Sequence, residues 1–327
     1  MGNCTSARRE THNWGVPRTE GRAVSCGPPV ADGDPYVAGG FAFRTTLCEA
    51  SSPTVPFFRQ SGRPLVFAHR GGRALGPENT LVAFDLGVAA GADGLELDVH
   101  LSADGKVVVI HDATLDRSTT AAGPVEARSA AELAAIDATP KYGIDLERAW
   151  TGARAGLPTL DQVLARYPDT SLIVEMKGER AELGAAVVQA VRQAGAGARV
   201  CLGSFSSAVL AAARACGEGI ATSASREEAL RALQRSWIGL SAGRRIAYCA
   251  FQVPETAGRL RVVSRRFVRA AHRSGCAVHV WTVNDEGDMR RLFDWGVDAI
   301  ITDHPDVAVR VRDAWAAARR PAGADVR

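Results

Sequence analysis

The chain has 327 residues, 46% of them hydrophobic and 6% aromatic, with a formal charge of +3. That is enough apolar material for a full core, a charge too small to argue for nucleic acid, and no run of about 18 apolar residues that would span a membrane. The seven cysteines follow no CxxC spacing, so no disulfide framework is expected in a chain this long. Cys201, Cys249 and Cys276 lie in or beside apolar runs, as small hydrophobes do. Lysine occurs only at 106, 141 and 177, so nearly all of the basic residues are arginine. Together with the alanine richness, this suggests a GC-rich coding sequence.

Residues 1 to about 60 are rich in Gly, Pro, Ser, Thr and Arg without a sustained period. They read as a tail of little structure or a start placed too far upstream. The opening Met1-Gly2-Asn3-Cys4-Thr5-Ser6 fits an acylation pattern. No basic segment followed by an apolar one appears there, and the expected location is cytoplasmic. From Leu65 onward, short apolar runs alternate with longer helical patterns. Leu65 to His69 predicts a buried strand, and Thr80 to Ala90 a helix capped by Thr80 and closed by Gly91. Gly94 to Leu101 predicts a strand, and Val107 to His111 another after the Asp104-Gly105 turn. Residues 113 to 157 break the alternation and form the longest insertion. Thr159 to Arg166 and Ala181 to Gln193 predict helices around a strand at Leu172 to Lys177. Val200 to Phe205, Gly219 to Ser223, Ala247 to Val253, Ala277 to Val283 and Ala299 to Thr302 complete the series. About eight such units predict one (β/α)8 TIM barrel over residues 62–320, with an insertion after the second strand region.

In such a barrel the active site lies where the strands end. The first strand ends at His69-Arg70-Gly71-Gly72. Glu96, Asp98 and His100 alternate along the second strand, so all three share one face. Polar groups pointing into a barrel are costly unless they bind something. His111-Asp112 closes the next apolar run, and Glu175 and Lys177 again lie two apart. Three carboxylates of this kind suit a hard cation, Mg²⁺ or Ca²⁺. Arginine and lysine suit a phosphate, and two histidines suit general acid and base.

Several blocks in order resemble the glycerophosphodiester phosphodiesterase family. They are Phe67-Ala68-His69-Arg70-Gly71, Pro77-Glu78-Asn79-Thr80, Glu96-Leu97-Asp98-Val99 with Asp104-Gly105, and His111-Asp112. Leu157-Pro158-Thr159-Leu160, Glu175-Met176-Lys177, Trp281-Thr282-Val283-Asn284 and Thr302-Asp303-His304-Pro305 continue the resemblance to about residue 306. It implies that His69 and His111 form the catalytic pair and that Glu96, Asp98 and Glu175 hold the metal. It further implies that Arg70 and Lys177 bind phosphate and that Trp281 walls the alcohol side. Lys177 also fits an ion pair to a barrel acid, and Trp281 fits core packing. Glu78 and Asn79 are expected to orient the following helix, and His304 to be a loop residue. His100 is left out of the site, and His272 and His279 have no evident partner. The match thins from about 206 to 262, and Val253-Pro254 receives no role.

The expected reaction is hydrolysis of a small glycerophosphodiester to an alcohol and glycerol 3-phosphate, with no nucleic acid partner. Two rivals are a phospholipase of C or D type acting on lipid and a barrel that only binds phosphodiesters. A lipid-active enzyme needs an apolar, basic docking helix, and the insertion is the natural place for one. Its large apolar residues, Leu133, Ile136, Tyr142, Ile144 and Trp150, are few and scattered. That favours water-soluble substrates.

Overall fold

The computed structural model describes residues 63–140, 142, 151–243 and 246–319. Eight parallel strands form the barrel: β1 (Leu65–Ala68), β2 (Gly94–Leu101), β4 (Ser171–Met176), β5 (Val200–Gly203), β6 (Ala221–Thr222), β7 (Ala250–Pro254), β10 (Ala277–Trp281) and β11 (Ala299–Thr302). Their order is β6-β5-β4-β2-β1-β11-β10-β7, and a parallel bridge from Ser223 to Ala250 joins the two ends; β8 (Thr256–Ala257) and β9 (Leu260–Arg261) pair with each other in a separate sheet. The helices between them are α1 (Leu81–Ala89), α3 (Leu160–Arg166), α4 (Ala181–Gln193), α5 (Ser207–Cys216), α6 (Arg226–Trp237), α7 (Arg265–His272), α8 (Glu286–Trp295) and α9 (Pro305–Ala317). The expected (β/α)8 barrel is present.

The strand expected after the Asp104-Gly105 turn is present and lies beside the barrel. Val107 to His111 is not a barrel stave: β3 (Val107–Val109) pairs antiparallel with β2, with Val99 opposite Val109. The physical reason is chain length. Only five residues separate β2 from β3, and a parallel return needs a crossover of a dozen or more. The rest of the insertion builds a satellite core in which Leu115, Val125 and Leu133 pack on Val108 and Ile110. Its helix α2 (Ala130–Ala135) starts with a Ser129–Glu132 capping box. Of the five large apolar residues singled out in the insertion, Leu133 is buried in this core and Ile136 is partly buried against it. Ile144 and Trp150 lie outside the described residues, as does the tail at 1–60.

Period-two alternation sorts every stave. Leu95, Leu97 and Val99 of β2, with Leu172, Val174 and Met176 of β4, face outward into one core shared with the helices. The inward positions divide by height. Leu65, Phe67, Ile173, Cys201, Ala250, Ala277 and Ala299 plug the lower barrel with an apolar layer. Above it stand Glu96, Asp98 and Glu175. Close packing leaves no room for a side chain at Gly94, where a Cβ would meet the Phe67 ring at 2.4 Å and the Ser171 carbonyl at 2.7 Å. Thr80 caps α1 by accepting from the Ala83 amide, and Gly91 follows it at φ 84°, as the sequence predicts. Cys201, Cys249 and Cys276 are buried free thiols. Among the described residues, no helix is long and apolar enough to cross a membrane.

Candidate active site

The strand ends surround an open cleft of about 850 Å³. All eight residues expected at the site line it: His69, Arg70, Glu96, Asp98, His111, Glu175, Lys177 and Trp281. Val253 and Pro254, which the sequence left without a role, line the opposite wall with Gln252.

Each histidine is held by a carboxylate at Nδ1. His69 Nδ1 lies 2.7 Å from Asp303 Oδ1, and His111 Nδ1 lies 2.6 Å from Asp112 Oδ1. An ionised carboxylate only accepts, so Nδ1 carries the proton of each neutral ring and Nε2 is its unprotonated nitrogen. The Nε2 of His69 is 4.0 Å from Glu96 Oε2. Burial and the Arg70 charge oppose protonation of His69, but Asp303 and Glu96 outweigh them and raise its pKa. Asp303 is itself fixed by Asn284, whose Nδ2 donates to Asp303 Oδ2 at 2.8 Å while its Oδ1 accepts from the Asp303 amide at 3.0 Å. The last two matching blocks of the sequence therefore meet at the first histidine.

Glu96, Asp98 and Glu175 bring carboxylate oxygens within 4.8 Å of one another. Burial, reinforced by Asp98, pushes Glu96 up to about 7. Burial also opposes ionisation of Asp98, but Lys177 and Arg70 outweigh it and hold that carboxyl well below the usual range. The Lys177 ammonium lies 3.1 Å from Asp98 Oδ1 and 3.0 Å from Glu175 Oε1, so the ion pair considered for Lys177 is formed. Three converging carboxylates, one of them poorly compensated in its charged form, fit a divalent cation with oxygen preference.

Two residues do more than orient a helix. Asn79, left-handed at φ 57° and 1% exposed, donates from Nδ2 to Asp98 Oδ2 at 2.9 Å and accepts from the Asp98 amide at 3.2 Å. Glu78 accepts from Arg70 at 3.1 Å, from Arg73 at 3.0 Å and from Arg117 at 2.6 Å. Arg117, which sequence reasoning did not single out, also donates from Nε to Asp112 Oδ2 at 2.6 Å. One guanidinium of the insertion thus ties the carboxylate behind His111 to the carboxylate behind Arg70. The adjacency of Asp112 to His111 was the available signal for part of this network; Arg117 carried none by itself.

Arg70 is 3% exposed and left-handed at φ 51°. Its amide donates to Glu96 Oε2 at 3.0 Å, and its Nε is 3.3 Å from Asp98 Oδ2. Trp281 ends β10 half-buried, edge-on to Phe205 with ring centroids 6.0 Å apart, and a cis peptide joins it to Thr282. The other histidines among the described residues sit outside the carboxylate cluster. His100 Nε2 is 3.0 Å from the His111 carbonyl, His272 pairs with Asp298 at 2.7 Å, and His279 stacks on Phe67 at 5.6 Å. His304, as expected, is a loop residue, standing between β11 and α9 at the helix N-cap.

Known proteins share this fold. Residues 69–307 match the model of the glycerophosphoryl diester phosphodiesterase family. The chain is 32% identical over 248 residues to Bacillus subtilis YhdW, covering 75% of this chain and 96% of that one. It is 29% identical over 264 residues to the glycerophosphodiester phosphodiesterase of Caldanaerobacter subterraneus subsp. tengcongensis, covering 76% and 98%. An Oleispira antarctica phosphodiesterase solved in complex with the product sn-glycerol-3-phosphate superposes with a TM-score of 0.60 at 26% identity, covering 77% and 97%. The chain belongs to the glycerophosphoryl diester phosphodiesterase family.

Proposed function

We propose that the cleft hydrolyses a water-soluble glycerophosphodiester to an alcohol and sn-glycerol 3-phosphate, using a divalent cation and two histidines. The observation that carries this reading is the pairing of two carboxylate-held histidines with a three-carboxylate cluster in one cleft. The product bound to the Oleispira antarctica relative supports the same choice of product here.

Glu96, Asp98 and Glu175 would hold Mg²⁺ or Ca²⁺. When bound, such an ion neutralises phosphate oxygens and makes a nearby hydroxyl easier to ionise. Arg70 and Lys177, both anchored on the acidic cluster, present positive charge to the phosphate from the same side. One of His69 and His111 takes the proton of the attacking hydroxyl at Nε2; the other returns a proton from Nε2 to the departing alcohol oxygen. Asp303 and Asp112 keep both rings in the tautomer these transfers need and stabilise each imidazolium as it forms. Trp281 and Phe205 close the apolar side of the cleft against water.

The test is hydrolysis of glycerophosphocholine and glycerophosphoethanolamine by the purified chain before and after exhaustive chelation. Activity that is lost on chelation and returns with Mg²⁺ or Ca²⁺ supports the reading; full activity in chelator removes the cation from it.

A further inference from the structure

Six large hydrophobic residues are exposed among the described residues, and three of them fall within four positions: Trp237 (51% exposed), Ile238 (74%) and Leu240 (45%). They form the tip where α6 ends. A fourth, Leu230, lies two helical turns earlier on the same face. Single exposed apolar residues are ordinary, whereas a cluster with a tryptophan asks for a partner.

The groups around the tip narrow the partner's chemistry. Arg235 Nε donates to the Ser241 carbonyl at 2.7 Å, Arg266 to the Trp237 carbonyl at 2.8 Å, and Arg273 to the Gly239 carbonyl at 2.9 Å. Three guanidiniums thus collar the apolar tip through its own backbone. The neighbouring helix α7 adds Arg265 and Arg269, both exposed. Residues 256–284 contain six arginines and no acid, in a chain whose net charge is only +3. Guanidiniums elsewhere on the surface, such as those of Arg166, Arg290 and Arg319, are paired with carboxylates. Arg235, Arg265, Arg266, Arg269 and Arg273 form no ion pair among the described residues.

We infer that the Trp237–Leu240 tip with its arginine collar docks on the headgroup layer of an anionic phospholipid bilayer. A bulky apolar wedge inside a ring of guanidiniums matches the acyl boundary below and lipid phosphates around it. A nucleic acid would match the arginines but leave Ile238 and Leu240 without an apolar partner. The placement also fits a water-soluble substrate. Arg226, at the start of α6, lines the catalytic cleft, while Trp237 stands at the far end of the helix, roughly 16 Å along its axis. Docking through the tip therefore leaves the cleft mouth open to water, and the inference does not rest on the catalytic reading.

The experiment is co-sedimentation of the full chain with vesicles of phosphatidylcholine alone and with vesicles of phosphatidylcholine and phosphatidylglycerol in equal parts. The expected result is binding to the anionic vesicles only. Replacing the wedge (Trp237→Ser, Ile238→Ser, Leu240→Ser) should weaken it at least tenfold. The pair Arg265→Gln and Arg269→Gln should weaken it about 25-fold, the scale of two interfacial charges. Hydrolysis of a water-soluble glycerophosphodiester should be unchanged in both. If the triple variant does not fold, Ile238→Ser alone, at the most exposed position, carries the apolar arm with an expected loss of at least threefold. Absent binding by the unaltered chain, equal binding to neutral vesicles, or undiminished binding by folded wedge variants would each overturn the inference, the last by reducing it to adhesion to any polyanion.

Discussion

Replacing Arg117 with alanine tests whether the insertion takes part in catalysis by positioning. Arg117 makes four charge-assisted contacts: Nε and Nη2 to Asp112 at 2.6 and 3.2 Å, and Nη1 and Nη2 to Glu78 at 3.1 and 2.6 Å. Contacts of this kind contribute about 1.5–3 kcal/mol each when desolvated. The Arg117 side chain is 39% exposed, so solvent screening reduces the whole set to about 2 kcal/mol of stability. The effect on turnover follows a different route. Without Arg117, Asp112 keeps, among the described residues, only its contact with His111, whereas Glu78 still has Arg70 and Arg73. Loss of a group that orients a reacting residue costs about 10- to 100-fold, so kcat should fall by that factor with KM little changed. Lysine should restore only part of it, because one ammonium cannot grip two carboxylates bidentately. The decisive assay is a double-variant cycle with His111→Ala. If Arg117 acts through His111, its removal from the His111→Ala background should cost less than about threefold. An undiminished cost on that background would refute the argument.

His69→Ala and His111→Ala should each lower kcat by about 10²-fold or more, with circular dichroism showing a folded barrel; near-normal turnover would remove that histidine from the mechanism. Glu78 should contribute to acid stability. Burial opposes its ionisation, but Arg70, Arg117 and Arg73 outweigh burial and lower its pKa from 4.5 to about 2. A carboxyl whose pKa is depressed by folding stabilises above its unfolded value and loses that stabilisation as pH falls toward its folded value. About 3 kcal/mol should therefore be lost between pH 4.5 and 2, and Glu78→Gln should flatten that part of the Tm profile. Gly94→Ala should destabilise the barrel by at least about 2 kcal/mol in denaturant titration, since its Cβ would meet the Phe67 ring and the Ser171 carbonyl; an unchanged midpoint would show that β2 can shift there.

The parts of the site that could be read from sequence are those generated by local periodicity. Glu96 and Asp98 alternate with Leu95, Leu97 and Val99, so one strand assignment places both acids inside. Glu175 follows by the same rule on β4, where it lies opposite Asp98 in the ladder. The antiparallel course of β3 was also legible in principle, because a five-residue link cannot cross over. What could not be read are contacts between distant segments. Asp303 reaches His69 across 234 positions, and Asn79 reaches Asp98 only because a left-handed turn aims its amide back at β2. Neither residue differs in type from an ordinary loop Asp or cap-adjacent Asn.

These distant contacts account for the ordered blocks flanking the acids and histidines. None of Glu78, Asn79, Asn284 and Asp303 belongs to the three-carboxylate cluster, but each fixes a neighbour of it: Asn79 holds Asp98, Glu78 holds Arg70, and Asn284 holds the Asp303 carboxylate that faces His69. Burial drives Glu96 toward neutrality, and the barrel offsets this only in part, through the Arg70 amide and His69. For Asp98 it supplies Lys177, Arg70 and the Asn79 amide. On the proposed reading, Arg70 and Lys177 serve two anions, the acidic cluster when the cleft is empty and a phosphate when it is full. A cation held by the three carboxylates would free both side chains to turn to the phosphate, so cation and substrate binding should reinforce one another. The measurable form of that coupling is an affinity for sn-glycerol 3-phosphate that rises with divalent cation concentration in the unaltered chain and loses that dependence in Glu175→Gln.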